Sequence, residues 1–312
     1  MDKKLISIVV PMFNEEKNIP SLLNSLQRTL DYSDIDWELV CINDGSQDNT
    51  LAELKKIKAH DKRVKILNLS RNFGKEAALT AGLDHAKGDA VIPFDADLQD
   101  PPEVILELLQ KWNDGFDVVN AVRESRTGDG VFKRFSAFMF YRTFNALSNF
   151  SIPNDVSDFR LISKEALKAL HKLPERRRFM KGLFAWIGFR TASVSYKRNE
   201  RVAGKTSFNL LKLFGLALEG ITSFSTSLLR ISTIAGVLTS LFAFIYGSKI
   251  VLSTLLYGEP VKGFPTLIAS ILFIGGFLMI AVGILGEYIS RIYEEVKQRP
   301  LYILDQSKID ES

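Results

Sequence analysis

Asp95-Ala96-Asp97 sets two carboxylates on either side of one alanine, directly after the apolar run Ala90–Phe94, with Gln99 and Asp100 close behind. Carboxylate and amide oxygens are hard ligands that suit Mg²⁺ or Mn²⁺. Such an ion commonly keeps only one or two protein carboxylates and completes its shell with phosphate oxygens, so this sparse pair fits a nucleoside diphosphate. Taken alone, the tripeptide could equally be a solvated acidic turn. Two more polar loops add weight: Pro11-Met12-Phe13-Asn14-Glu15-Glu16 and Asn43-Asp44-Gly45-Ser46-Gln47-Asp48-Asn49-Thr50 each follow a short apolar run and open a helix-like one. Either could be an ordinary strand-to-helix turn with an N-cap.

The elements that must position these loops are visible as a rhythm. Leu5–Val10, Glu38–Ile42, Val64–Leu69, Ala90–Phe94 and Asp117–Ala121 are β-branched, apolar runs of strand length. Between them, Glu16–Leu30, Asn49–His60, Lys75–Lys87 and Pro102–Trp112 carry apolar residues at helical spacing, with Asp48 and Asp100 where N-caps would stand. Strands alternating with helices predict a mostly parallel α/β sheet with right-handed crossovers. Ligands of such sheets bind at the carboxyl ends of the strands, which puts Asn14, Asp44 and Asp95 on one rim.

Beyond Ala121 the pattern changes. A basic loop, Arg123–Gly130, precedes Val131–Phe150, which is dense in Phe and Tyr with Lys133, Arg134 and Arg142 interspersed; it suits either a membrane interface or a core helix. Ser207–Ser227 carries Phe208, Leu211, Phe214, Leu218 and Ile221 at helical spacing, as an amphipathic juxtamembrane helix would. Ile231–Ser248 is uncharged for 18 residues and Gly263–Gly286 for 24, lengths that suit membrane crossing. The expected organisation is therefore a catalytic domain over residues 1–206, with an interfacial helix near 131–150, and a juxtamembrane helix over 207–227. Transmembrane helices over 228–257 and 263–286 and a tail over 287–312 complete it. Lys205, Lys212 and Arg230 before the hairpin, and Arg291, Lys297 and Arg299 after it, place both ends in the cytoplasm by the positive-inside rule. Met1-Asp2-Lys3-Lys4 leads straight into the first strand without a signal-peptide pattern, in keeping with a cytoplasmic N-terminus.

Several other chemistries are disfavoured. The single cysteine, Cys41, lies in the apolar run Leu39–Ile42 and reads as a core residue. His60, His85 and His171 are scattered, which suggests neither a zinc cluster nor a histidine triad. Gly204-Lys205-Thr206 echoes the end of a P-loop, but Asn199 stands where its first glycine belongs, and Lys133 occupies the third-glycine position after Gly128-Asp129-Gly130. A net charge of +4 argues weakly for anionic partners and not for nucleic acid. The triplet Arg176-Arg177-Arg178 reads as a solvated surface run.

Together the three loops resemble the nucleotide pocket of the family 2 glycosyltransferases of GT-A fold. Ser70-Arg71-Asn72-Phe73-Gly74-Lys75 and Val156-Ser157-Asp158-Phe159-Arg160-Leu161 are similar to segments of the polyprenyl-phosphate glycosyltransferases, a group that includes the dolichol-phosphate mannose synthases. Gly286-Glu287-Tyr288-Ile289-Ser290-Arg291-Ile292-Tyr293, with Arg299-Pro300 beyond, resembles the bacterial two-helix members that act on undecaprenyl phosphate. The resemblance implies a nucleotide-sugar site made by Pro11, Asn14, Glu15, Asp44, Lys75, Asp95, Ala96 and Asp97. It implies metal binding by Asp97 with Gln99, and catalytic roles for Asp95, Asp97 and Asp158. Acceptor phosphate is expected at Arg123, Arg126, Arg201 and Lys205, because an anionic lipid head needs cations near the membrane.

Asp158 could act as a general base, or position and balance charge, because a phosphate acceptor with a second pKa near about 6 is already largely ionised. A helix N-cap or an ion pair with Arg160 is its plain structural alternative. The expected activity is inverting transfer of one sugar, with glucose favoured, from a UDP-sugar to undecaprenyl phosphate. It would take place at the cytoplasmic face of a bacterial membrane with Mg²⁺ or Mn²⁺ as cofactor. A homo-oligomer, a tetramer by analogy with related two-helix enzymes, is also implied. A GDP-mannose-dependent synthase of the same chemistry and a non-catalytic nucleotide-sugar or lipid-binding scaffold are the alternatives.

Overall fold

A computed structural model of the 312-residue chain describes residues 3–33, 35–124, 142, 156–176, 178, 180–198, 227–257, 263–305 and 307. Seven strands form one sheet: β1 (Leu5–Met12), β2 (Asp36–Asn43), β3 (Val64–Asn68), β4 (Ala90–Pro93), β5 (Val118–Arg123), β6 (Val156–Ser163) and β7 (Thr191–Tyr196). Their order is β3-β2-β1-β4-β6-β5-β7. β1, β2, β3 and β4 pair in parallel, β6 is antiparallel to both β4 and β5, and β5 is parallel to β7. β6 alone is reversed, so its first residues lie at the rim where the other strands end.

The five strands and four helices expected up to Ala121 are present. The helices are α1 (Ile19–Leu30), α2 (Thr50–His60), α3 (Lys75–His85) and α4 (Val104–Asn113). Two strands were not foreseen. β6 alternates polar with apolar residues only over Asp158–Leu161 and β7 over its six positions, a weak signal beside the more continuous apolar runs of the parallel strands. Two short helices, α5 (Lys164–His171) and α6 (Met180–Trp186), also lie in this later region.

The sheet is buried on both faces. On one, Ile8, Leu39, Ile92, Phe159 and Leu161 pack with Leu22 and Leu26 of α1, Leu54 of α2 and Ile105 and Leu108 of α4. On the other, Val9, Val40, Val91 and Ile162 meet Leu79 and Leu83 of α3, Leu167 of α5 and Leu183 and Phe184 of α6. The split follows the two-residue period of a strand, which sends neighbours to opposite faces. α3 sits very close to the sheet: a Cβ on Gly82 would lie 2.2 Å from Val9 Cγ1 and 2.6 Å from Ile42 Cδ1.

Two long helices follow, α7 (Ser227–Tyr257) and α8 (Phe264–Lys297). Phe273–Lys297 of α8 is long and apolar enough to cross a membrane, while the apolar part of α7, Ile234–Tyr246, is shorter. Phe242 and Phe244 of α7 and Phe273 and Met279 of α8 are about 70% exposed, a density of apolar surface that water does not favour. The expected interfacial helix near 131–150 and residues 207–226 of the juxtamembrane helix lie outside the described residues, Arg142 excepted.

The chain then returns to the sheet. Leu304 bridges antiparallel to Leu69, Ile303 O accepts from Ser70 N–H at 2.9 Å, and Asp305 N–H donates to Asn68 O at 2.8 Å. Arg176 serves this return: its N–H donates to Glu295 and its guanidinium to Arg299 O, while half-buried Arg178 donates to Leu173 O within its own segment. What read as a solvated run is partly structural.

Candidate active site

The site begins with three loops that hold one another. Asn14 adopts a left-handed conformation at φ 59°, which asparagine tolerates better than most residues. Its N–H donates to Ser46 Oγ at 3.0 Å, and its Oδ1 accepts from Gln47 N–H at 2.8 Å. Glu15 N–H donates to Thr50 Oγ1 at 2.9 Å. Asp44 is buried, and its two carboxylate oxygens accept from Phe73 N–H at 2.7 Å and Gly74 N–H at 3.0 Å. Burial raises its pKa, opposed by those two hydrogen bonds and by Arg71. Gly45, at φ 65°, lies against the Arg71–Asn72 backbone, where a Cβ would approach Arg71 C to 2.4 Å. The second loop therefore braces the third, and the third delivers Lys75 at the first position of α3.

Lys75 Nζ lies 2.7 Å from Asp95 Oδ1 and 2.9 Å from Asp158 Oδ2. Asp95 follows β4, whereas Asp158 is the third residue of reversed β6, which explains why residues so far apart in sequence share a rim. The helix-cap alternative for Asp158 does not hold, because the residue lies within a strand. Burial alone would lower Lys75 and raise Asp158. Their mutual attraction more than offsets this, with Asp95 assisting Lys75 and Lys181 assisting Asp158, so Lys75 lies above the ordinary lysine range and Asp158 well below the carboxylate range.

Glu15, Asp95 and Asp97 concentrate negative charge. Burial raises the pKa of Glu15, its bond from Asn18 lowers it, and the Asp97, Asp95 and Asp48 carboxylates raise it further. Among the described residues no group of three His, Cys, Asp or Glu side chains is arranged as a metal cage. The donor set nonetheless fits a hard divalent cation that keeps most of its shell for phosphate. Gln99 Oε1 is buried with no hydrogen-bond partner among the described residues, and Gln99 N–H donates to Asp97 Oδ1 at 3.2 Å. An orphaned amide oxygen two residues from a carboxylate is the kind of group a cation satisfies.

Asp100 does not cap α4. It is buried and accepts from Tyr196 Oη, with Arg198 Nε 3.6 Å away, while Arg123 Nε donates to Tyr196 Oη at 3.4 Å. A buried carboxylate needs cations and donors more than a helix start needs a cap. Arg123, an expected acceptor-phosphate residue, thus stands at the end of β5 in a charged wall beside the rim. Arg126, Arg201 and Lys205 lie outside the described residues.

Pro11, Glu15, Asp44, Lys75, Asp95, Ala96 and Asp97 line one cavity of about 320 Å³. Asn14, expected with them, instead has its side chain on Gln47 and ties two loops together. A larger hollow of about 500 Å³ between α1 and α2 is away from the strand ends, and Arg63 there is paired with Asp61 and Asp31. Lys181, 4.0 Å from Asp158 Oδ1, and Tyr196 and Arg198 were not foreseen. Only the pairing of Asp158 with Arg160 at a strand's two-residue spacing hinted at a charged face that needs partners.

The match to known proteins follows this geometry. Residues 7–170, from β1 to the end of α5, match glycosyl transferase family 2. The chain is 50% identical over 302 residues to a prophage-derived bactoprenol glucosyl transferase of Shigella flexneri, covering 97% of this chain and 98% of the relative. It is 50% identical over 303 residues to a prophage bactoprenol glucosyl transferase homolog of Escherichia coli, covering 97% and 99%. An uncharacterized glycosyltransferase of Synechocystis is 48% identical over 299 residues, covering 96% and 94%. With the family's match running through every strand that carries the rim carboxylates, and relatives aligned almost end to end, the chain belongs to glycosyl transferase family 2 and is a glycosyltransferase.

Proposed function

We propose that the protein transfers one glucose from UDP-glucose to undecaprenyl phosphate at the cytoplasmic face of a bacterial membrane, inverting the anomeric centre. The observation that carries this is Lys75, which joins Asp95 on the nucleotide side to Asp158 on the acceptor side. Donor and acceptor anions can therefore meet within one short ion-paired row. The bactoprenol named in the relatives is a polyprenol, which supports a lipid acceptor.

An oxygen of the acceptor phosphate attacks the anomeric carbon as the bond from that carbon to the UDP β-phosphate oxygen breaks, and UDP departs with the electron pair. The direct displacement needs no enzyme nucleophile and inverts the centre. Asp97 and Gln99 are the residues that would hold Mg²⁺ or Mn²⁺, which when bound supplies Lewis-acid neutralisation of the departing diphosphate. Lys75 keeps Asp95 and Asp158 at fixed separation. Asp158 is held so far below the ordinary carboxylate range that it is a poor proton acceptor, and the acceptor phosphate is largely ionised at neutral pH. Asp158 therefore works by positioning cations, not by taking a proton.

α7 and α8 form the membrane anchor in this scheme, as a two-helix hairpin with both ends cytoplasmic. Anchoring keeps the site beside an acceptor confined to the bilayer and so raises its effective concentration. The test is transfer by purified protein with undecaprenyl phosphate, Mg²⁺ or Mn²⁺ and a panel of labelled nucleotide-sugars. Label from UDP-glucose should enter the lipid phase. Transfer from GDP-mannose alone would replace the donor assignment, and transfer from no donor would overturn the activity.

A further inference from the structure

β6 presents Asp158 and Arg160 on the same face, two residues apart. α6 answers with residues one helical turn apart: Lys181 Nζ is 4.0 Å from Asp158 Oδ1, and Phe184 lies under the Arg160 guanidinium at 4.3 Å. Met180, Leu183 and Phe184 are buried beneath, so the helix is fixed against the sheet and its lysine cannot drift far. The two oxygens of Asp158 are thereby divided. Oδ2 faces Lys75 and through it Asp95 of the nucleotide cavity; Oδ1 faces Lys181, which does not line that cavity.

Resting on the transfer reaction above, we propose that Lys181 binds the phosphate monoester of the acceptor, making α6 the acceptor-side counterpart of the loop that delivers Lys75. Its separation from Asp158 is at the outer limit of an ion pair, and its side chain is 30% exposed, so a further anion can approach it. Burial lowers its pKa; Asp158 works against this, while Arg160, Lys75 and Arg123 add to it. Lys75, Lys181 and Arg160 all act on the one carboxylate of Asp158, a cationic setting that suits a phosphate dianion. Asp158 orients the ammonium, and the ammonium meets the attacking phosphate.

The test uses full-length protein in detergent with Lys181→Met and Lys181→Arg. In transfer assays, Lys181→Met should raise KM for the polyprenyl phosphate about tenfold or more, the scale of one charge-assisted hydrogen bond. KM for the nucleotide-sugar should stay within about twofold and Lys181→Arg should recover most of the loss. Direct binding of a short-chain prenyl phosphate, of inorganic phosphate and of UDP, read by thermal shift, is independent of turnover. Weaker binding of the prenyl phosphate to Lys181→Met with unchanged UDP binding supports the assignment, and parallel weakening for inorganic phosphate locates the contact at the head group. Equal prenyl phosphate binding by wild type and Lys181→Met, no binding by wild type, or an equal loss for UDP overturns it. Failure of every donor to transfer, with Lys181-dependent prenyl phosphate binding intact, would count against the reaction and not against the site.

Discussion

Lys75 and Asp158, 83 positions apart, meet at 2.9 Å because α3 begins where reversed β6 begins, on the same rim and the same face of the sheet. Removing the ammonium leaves Asp95 and Asp158 facing each other without their shared cation. Lys75→Met should lower kcat by about 10- to 100-fold, the scale of losing a hydrogen bond to a charged group. In a double-mutant cycle with Asp158→Asn the two losses should be strongly non-additive, and simple additivity would show that the pair does not act as a unit.

The same pair sets an expectation for pH. The folded-state pKa of Asp158 is depressed, so its contribution to stability is fully present above the unfolded aspartate value of about 3.9 and is lost only as pH falls through the lower folded value. The difference in melting temperature between wild type and Asp158→Asn should therefore be constant between about pH 5 and 8. A difference that shrinks on acidification from neutrality toward about pH 5 would mean that Asp158 titrates there.

Asp97 adds repulsion to Glu15 until a cation arrives. Asp97→Asn should reduce metal-dependent turnover by about two orders of magnitude or more, as expected when stabilisation of a leaving group is lost. Thermal unfolding without metal should be unchanged or slightly raised. Wild-type turnover in this variant would remove Asp97 from the mechanism.

Gly45 tests the bracing of the loops. Alanine there would need φ 65° and would place Cβ 2.4 Å from Arg71 C, a backbone atom that has no flexible side chain to yield. Gly45→Ala should destabilise the protein by about 1–3 kcal/mol. It should also weaken UDP binding in thermal-shift titrations, since Asp44 and the Phe73–Gly74 turn must move together.

The return of the chain after α8 is equally open to measurement. Asn68 Nδ2 donates to Asp305 O at 3.0 Å, and Tyr302 Oη to Asp84 at 2.9 Å, where His171 also reaches. Leu304 packs on the α3 side of the core beside the loop that leads to Lys75. Leu304→Asp should cost about 1–3 kcal/mol in thermal or denaturant unfolding and speed proteolysis around residues 70–74. Unaltered protection there would separate the tail from the site.

Local order alone specified the parallel half of the sheet. The runs Leu5–Val10 and Ala90–Phe94 are apolar but for Ser7 because a strand covered on both faces has no polar side to show, and the acidic loops directly after them mark its rim. The reversal of β6 was not legible, because strand direction is set by which neighbours a strand finds and not by its own residues. From that reversal follow the pairing of Lys75 with Asp158 and the meeting of Lys181 with the other oxygen of the same carboxylate, while the diversion of Asp100 from a helix cap to Tyr196 follows from β7 ending at the same rim. The sequence by itself determined that the Glu15, Asp44 and Asp95–Asp97 loops gather at one cavity, because each directly follows a parallel strand. Only the tertiary structure decided which cations face Asp158, since attraction between charges depends on distance in space and local order does not encode it.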